Sequence, residues 1–509
     1  MLKHHAITDS RTVGLLVVMV ALGVFLSLFL EKFGVLAWVA VALLPIAVCV
    51  FPSWLRQAVL RFQLLRTHFT WWHWLWLLVF LSGCQFRLRD SLAIQQEAVD
   101  AGAAYRIGVM AIAAFGLGLH LVLRRPPLAR LFPVGVIRVL AIYGLICTLS
   151  TFWSVYPAWT LYKSLEYLVD VALIAAILAT ISSAESYKCL FDWTWAMDGL
   201  LLLSVWIGVL IWPAEAFRPQ VALVSVQLQG VLPQIDSNGV GHLAAVLSIV
   251  CVSRLLLRER NRNSLIFYGL VLALGLATMA LSQTRSAILG FCVGLALLLY
   301  FSKSVRAMGL LAAAVIVLLL LTSTGPLAQE YFRRGQDPDM LGSLSGRTDW
   351  WEAGWEAFLK TPWVGTGAHT ARFTVLAKMG SKDASSMHNT YLETLLGVGI
   401  LGLIPLVAVF LWTWSLLIGG LRHLSRNPAH RFLVIEAVAV FGVITFRSFF
   451  STTVTVHPDL EALAVLGYAE VLQRCWKQQE SVYRVSRVRP KGMLAGSPTV
   501  FSHDNASTL

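Results

Sequence analysis

Apolar runs of about 17–25 residues recur along this chain, each long enough to cross roughly 30 Å of hydrocarbon, and they leave few folds open. Inside lipid every backbone N–H and C=O must be bonded within the protein, so a spanning chain is a helical bundle or a closed barrel. Barrel strands read as segments of about ten residues with alternating polarity, and no such segments stand out here. The sequence therefore predicts an all-α, polytopic membrane protein, a bundle of about 12–14 transmembrane helices with one large polar loop. Composition agrees. The chain is 57% hydrophobic and only 13% charged, where soluble domains carry about 25% charged residues.

Spans are expected at 13–30, 34–51, 70–85, 107–123, 132–149, 164–182, 194–212, 238–256, 265–282, 286–302, 307–322, 391–416, 432–446 and 460–473. The formal charge of +13 raises the question of a nucleic-acid partner. The basic residues sit mainly in alternate short connections between spans, which is a topology signal, so no nucleic acid is expected. With the N-terminus inside, Arg56, Arg61, Arg66, Arg124, Arg125, Arg254, Arg258, Arg422 and Arg426 fall on the cytoplasmic side. The short outward connections carry few cations: Lys32, Lys163, Arg285 and Arg447. The stretches 150–163, 213–237, 283–286, 323–390 and 447–459 then share the outer face. The seven cysteines are scattered without metal-ligand spacing and read as small apolar residues.

Five outward stretches carry the chemistry. Trp153 and Tyr156 suit a membrane interface, and Pro157 suits the first turn of a helix. Asp236, Ser237 and Asn238 are N-cap candidates for the next span, whose N-terminus would favour phosphate oxygens. His242, one turn further in, reads as a packed helix residue. Arg285 stands where two spans meet with almost no loop; a guanidinium there suits a bidentate clamp on phosphate or carboxylate. In the large loop Trp351, Trp355 and Phe358 recur at helical spacing, with Arg347 at the N-terminal end of that helix, where a cation opposes the helix dipole unless an anion is bound. His388 opens the span after the loop, where the dipole favours a neutral imidazole able to accept a proton.

The ordered motifs WSxxP (Trp153–Pro157), DxNGxG (Asp236–Gly241), SxTRS (Ser282–Ser286), GRxxWW (Gly346–Trp351), PWxGTG (Pro362–Gly367) and HNxYLExxxxxGxxG (His388–Gly402) resemble the bacterial O-antigen ligase superfamily. That superfamily includes Wzy-type polymerases of O-antigen and exopolysaccharide. The resemblance runs from about residue 150 to 450. It implies an inverting glycosyltransferase of GT-C type in the bacterial inner membrane, active on the periplasmic side. The donor would be an undecaprenyl-pyrophosphate-linked glycan and the acceptor a saccharide, lipid A-core or another lipid-linked repeat. No metal, nucleotide sugar or other cofactor is implied. Carried onto this chain, the catalytic set is His388, Arg285 and Arg347. Asn389, Glu393, Asn238, Trp153 and Arg218 are the candidates for substrate binding.

The expected organisation is N-terminal helices of unassigned role (1–130), a transmembrane core (131–322), the large loop (323–390), C-terminal helices (391–473) and a disordered basic tail (474–509). Two rival readings come from single residues. Asp170, an acid inside a span, would suit a transporter or flippase, and Asp337 with Asp339 would suit a metal-dependent transferase.

Overall fold

The computed structural model describes residues 70–84, 101–124, 135–181, 184–220, 224–257, 261–303, 330–331, 333, 346–376, 386–423 and 428–488. The expected spans 13–30, 34–51 and 307–322 lie outside the described residues, as do Asp337 and Asp339. Within them the chain is helical apart from two small hairpins and some loops. The helices are α1 (Trp71–Gly83), α2 (Ala101–Arg124), α3 (Val136–Leu149), α4 (Pro157–Thr180), α5 (Ala184–Ile211), α6 (Ser237–Leu257), α7 (Arg262–Ser282), α8 (Arg285–Ser302), α9 (Arg347–Lys360), α10 (Thr390–His423), α11 (Pro428–Arg447) and α12 (Leu460–Val488). Between α5 and α6, β1 (Phe217–Pro219) pairs antiparallel with β2 (Val226–Leu228), and β3 (Gly230–Val231) with β4 (Gln234–Ile235).

Seven helices among the described residues are long and apolar enough to cross a membrane: α2, α3, α5, α6, α7, α8 and α10. Their outward sides carry bare hydrocarbon, for example Phe115 at 72%, Leu123 at 72% and Leu411 at 66% exposure. Surfaces of that kind are stable against lipid tails and not against water. The helix at the centre is α11, with Phe432 to Ile444 buried almost without a break. A helix that is apolar all round belongs in a core. It packs on α8, α6 and α10, while α12 lies against α5, α10 and α4.

Most observed helices start earlier than the hydropathy predicts, because polar first turns are built into them. Pro157 is the first residue of α4, as its fixed φ favours. Two expectations are corrected. The segment after Arg474, read as disordered, continues α12 to Val488. Its Lys, Gln, Glu and Arg are good helix formers, and a proline, Pro490, stands two residues past its end. Arg254, counted as a loop cation, is 4% exposed within α6. It donates to both carboxylate oxygens of Glu436, at 2.7 and 2.8 Å, and to Asp192 at 2.7 Å.

A break inside α10 shapes the opposite end of the bundle. Gly399 has φ 65° and ψ −161°, a conformation that side chains resist. The loop Pro362–Gly367 runs through the gap. Thr366 and Gly367 donate to the carbonyls of Leu396 and Gly397 at 2.8 Å, and Ile400 donates to that of Pro362 at 2.9 Å. The loop then crosses to α4's entry, where Val155 donates to the Thr366 carbonyl at 3.0 Å. Backbone groups freed by the break are thus satisfied by another motif of the same chain.

Candidate functional site

The beginnings of α2, α4, α6, α10 and α12 and the end of α11 converge on one cavity of about 570 Å³. Asn238, His242, His388, Glu393, Arg447, Asp459 and Glu461 line one part of it; Arg106, Trp159, Lys163, His369 and Arg372 line another. Five helix N-termini therefore face a single space, and their partial positive charges add there.

His388 is held by its neighbours in the chain and by α9. Its φ of 50° lies in the left-handed region, a strained conformation for a residue with a side chain. The residue before it is pinned from both sides: the Met387 N–H donates to Glu393 Oε2 at 2.8 Å, and the Trp351 indole donates to the Met387 carbonyl at 2.9 Å. The residue after it, Asn389, caps α10 by accepting from the backbone of Tyr391 and Leu392, both at 3.0 Å. Trp350 stacks on the imidazole with centroids 6.1 Å apart. Burial, and next the charge of Arg347, hold the imidazole pKa down at about 4, with Asp236 pulling it up and Arg447 adding to the fall. The ring is therefore neutral near pH 7 and free to accept a proton.

Arg347 is the first residue of α9 and donates to the Phe450 carbonyl at 2.9 Å, which brings it to the turn after α11. The three apolar residues of α9 at helical spacing are not equally buried. Phe358 is buried, but Trp355 is 50% exposed, and Gly354 takes its place in the contact. A Cβ at Gly354 would stand 2.7 Å from Met387 Cε, so α9 approaches the His388 turn closely at that glycine.

The structure brings His388, Asn238 and Glu393 onto the cavity wall and Arg347 beside His388. It does not bring Arg285, Trp153 or Arg218 there. Arg285 does sit at a two-residue junction between α7 and α8, with Gln283 left-handed, but its guanidinium donates to the Arg333 carbonyl at 3.1 Å. The Trp153 indole donates to the Val364 carbonyl at 3.0 Å, tying α4's entry to the Pro362–Gly367 loop. Arg218 is exposed on β1, opposite Gln227. Of the N-cap candidates for α6 it is Asp236 that caps, accepting from the Gly239 N–H at 2.8 Å.

Several wall residues escaped the sequence reading. His242, read as packed, lines the cavity and meets Glu461 at 3.2 Å. Arg106 donates twice to Glu166, at 2.7 and 2.8 Å, and Lys163 donates to the same carboxylate at 2.9 Å. The Lys163 ammonium lies 5.1 Å from the Trp159 ring centroid, and Arg372 lies 5.5 Å from it. Asp170 is buried and bonds His457 Nδ1 at 2.6 Å; both side chains are 1% exposed.

Fold and cavity define a polytopic helical membrane protein with a polar chamber at one end, lined by cations and carboxylates together. Comparison with known proteins narrows the class. Residues 270–407 match the family described as O-Antigen ligase. The chain is also similar to the exopolysaccharide production protein ExoQ of Rhizobium meliloti (strain 1021), with 24% identity over 314 residues, 59% of this chain and 68% of the relative. These matches support the resemblance to the superfamily of O-antigen ligases and Wzy-type polymerases.

Proposed function

We propose that the chain is an inverting glycosyltransferase that moves a saccharide from undecaprenyl pyrophosphate to an acceptor hydroxyl, on the periplasmic side of the bacterial inner membrane. The observation that carries this reading is His388: neutral, strained, fixed through Met387 on both sides, and opening into a chamber where cations and helix N-termini meet. The acceptor hydroxyl attacks the anomeric carbon and gives its proton to the imidazole. The bond from that carbon to the phosphate oxygen breaks, and the lipid pyrophosphate leaves with the electron pair. Charge gathering on it is met by Arg347 and by the helix N-termini, groups already oriented before reaction. Arg285 remains a candidate for a more distant part of the donor. Neither a metal nor a nucleotide sugar takes part in this scheme.

Two acceptors fit. A ligase hands the glycan to lipid A-core, whereas a polymerase hands it to another lipid-linked repeat. The similarity to an exopolysaccharide production protein favours the polymerase reading, while the family description favours the ligase. Glycans from cells lacking the protein, complemented with wild type or His388→Ala, decide. Long polymer stranded on the carrier marks a ligase; single repeats on their final acceptor mark a polymerase. Equal glycan patterns from wild type and His388→Ala would remove the proposed base.

A further inference from the structure

Arg447 ends α11 with its side chain on the cavity wall at 2% residue exposure. Its Nη2 donates to the Asn238 carbonyl at 3.2 Å, while Nε and Nη1 have no hydrogen-bond partner. The acids that attract it, Asp236, Glu461 and Asp459, are committed elsewhere. Asp236 caps α6, Glu461 meets His242, and Asp459 accepts from the backbone of Val454 at 2.6 Å and Ala462 at 3.1 Å. No carboxylate among the described residues forms an ion pair with Arg447.

A staple between helices explains only part of this. The last turn of a helix suits a cation, and the Arg447 stem is wedged against Gly290, where a Cβ would stand 3.3 Å from its Cγ. Neither fact gives the remaining N–H groups an acceptor, and a buried guanidinium without one is costly. Arg447 lines the cavity, which is the nearest space from which an acceptor for those groups can come. Arg447 also acts electrostatically on His388 and feels Arg347, which puts two guanidiniums within range of the base and suits a multiply charged anion.

We infer that Arg447 binds the pyrophosphate of the lipid-linked donor through the Nε and Nη1 side of its guanidinium, next to His388. The inference rests on the glycosyltransferase reading and adds to it a phosphate ligand from the turn after α11. It predicts that the ligand-free protein tolerates loss of this charge while donor binding does not.

The test uses the full-length protein in nanodiscs, with thermal unfolding followed against inorganic pyrophosphate and against undecaprenyl pyrophosphate. Both probes should raise the unfolding temperature of wild type and of His388→Ala. Arg447→Gln should unfold no earlier than wild type without ligand, and its apparent Kd for either probe should rise at least tenfold. Arg447→Lys, which keeps charge without the fork, should bind with intermediate strength, and it decides the matter if Arg447→Gln does not fold. Wild-type affinity in both variants would overturn the assignment and leave the donor class standing. If wild type binds undecaprenyl pyrophosphate alone, a tenfold higher Kd for it in Arg447→Gln supports the assignment and an unchanged Kd overturns it. Binding of neither probe to wild type would overturn the donor class and this inference together.

Discussion

The Glu393 carboxylate accepts the Met387 N–H at 2.8 Å, reaching back across the start of α10 to the residue that precedes His388. Both partners are largely buried. The motif glutamate thus has a mechanical role, whether or not it also touches substrate, and the two roles separate by substitution. Glu393→Gln keeps a carbonyl oxygen for Met387 and should retain most transfer activity. Glu393→Ala leaves a buried N–H unsatisfied, a cost of about 1–3 kcal/mol, and should lower kcat about 10–100-fold with little change in donor affinity. Equal loss in both variants would show that the negative charge, not the hydrogen bond, is what the reaction uses.

The pH profile follows from the depressed pKa of His388, about 4 in the ligand-free protein. A general base works only unprotonated, so activity should fall as pH drops through its pKa. The acid limb of kcat/KM, which reports the free enzyme, should lie near pH 4. Binding of an anion between Arg347 and His388 cancels part of the cationic field that holds the pKa down. The acid limb of kcat should therefore lie at higher pH than that of kcat/KM. Coincident limbs would argue that no anion binds beside the imidazole.

Gly399 and the loop at Trp363 carry the next expectation. A Cβ at Gly399 would stand 2.3 Å from the Trp363 carbonyl carbon, and its φ of 65° is unfavourable for any other residue. Gly399→Ala should displace the Pro362–Gly367 loop and lower the yield of folded protein. Gly118→Ala, with nothing near its Cβ, is the matched control in another membrane-spanning helix. If the two variants unfold at the same temperature, the loop is not seated through Gly399.

These cases show where the sequence was readable. His388 at a helix start, the abrupt junction at Arg285, Asn238 beside a cap and Pro157 opening α4 all follow from local chemistry, and the structure has the same local geometry. What local reading missed comes from long-range contacts. His457 and Asp170 meet across 287 residues, and nothing near either predicts the other. Arg447 reads as an ordinary helix-terminal cation until its unmatched N–H groups are seen. Trp355 fits a helical stripe, yet the buried contact with Met387 passes through Gly354. The basic end of α12 is not legible as helix because polarity alone does not distinguish a disordered tail from a polar helix.

The ion pairs at the far end of the bundle give the last prediction, a separation of stability from chemistry. Arg254 and Glu436 are almost fully buried, are joined by two hydrogen bonds, and stand near the end of α6 and in the first half of α11, off the cavity wall. Glu436 also accepts from the Trp195 indole at 3.1 Å. Glu436→Ala leaves the guanidinium with only Asp192, and breaking a buried pair on one side costs about 3–5 kcal/mol. The double variant Arg254→Met with Glu436→Leu removes both charges and should recover much of that loss, since apolar replacement of a whole pair is often neutral. In both, kcat per folded molecule should match wild type, because neither residue reaches the chamber. Unfolding temperature and kcat measured on the same nanodisc preparations check this. A fall in kcat in the thermally recovered double variant would mean that this end of the bundle is coupled to the transfer step.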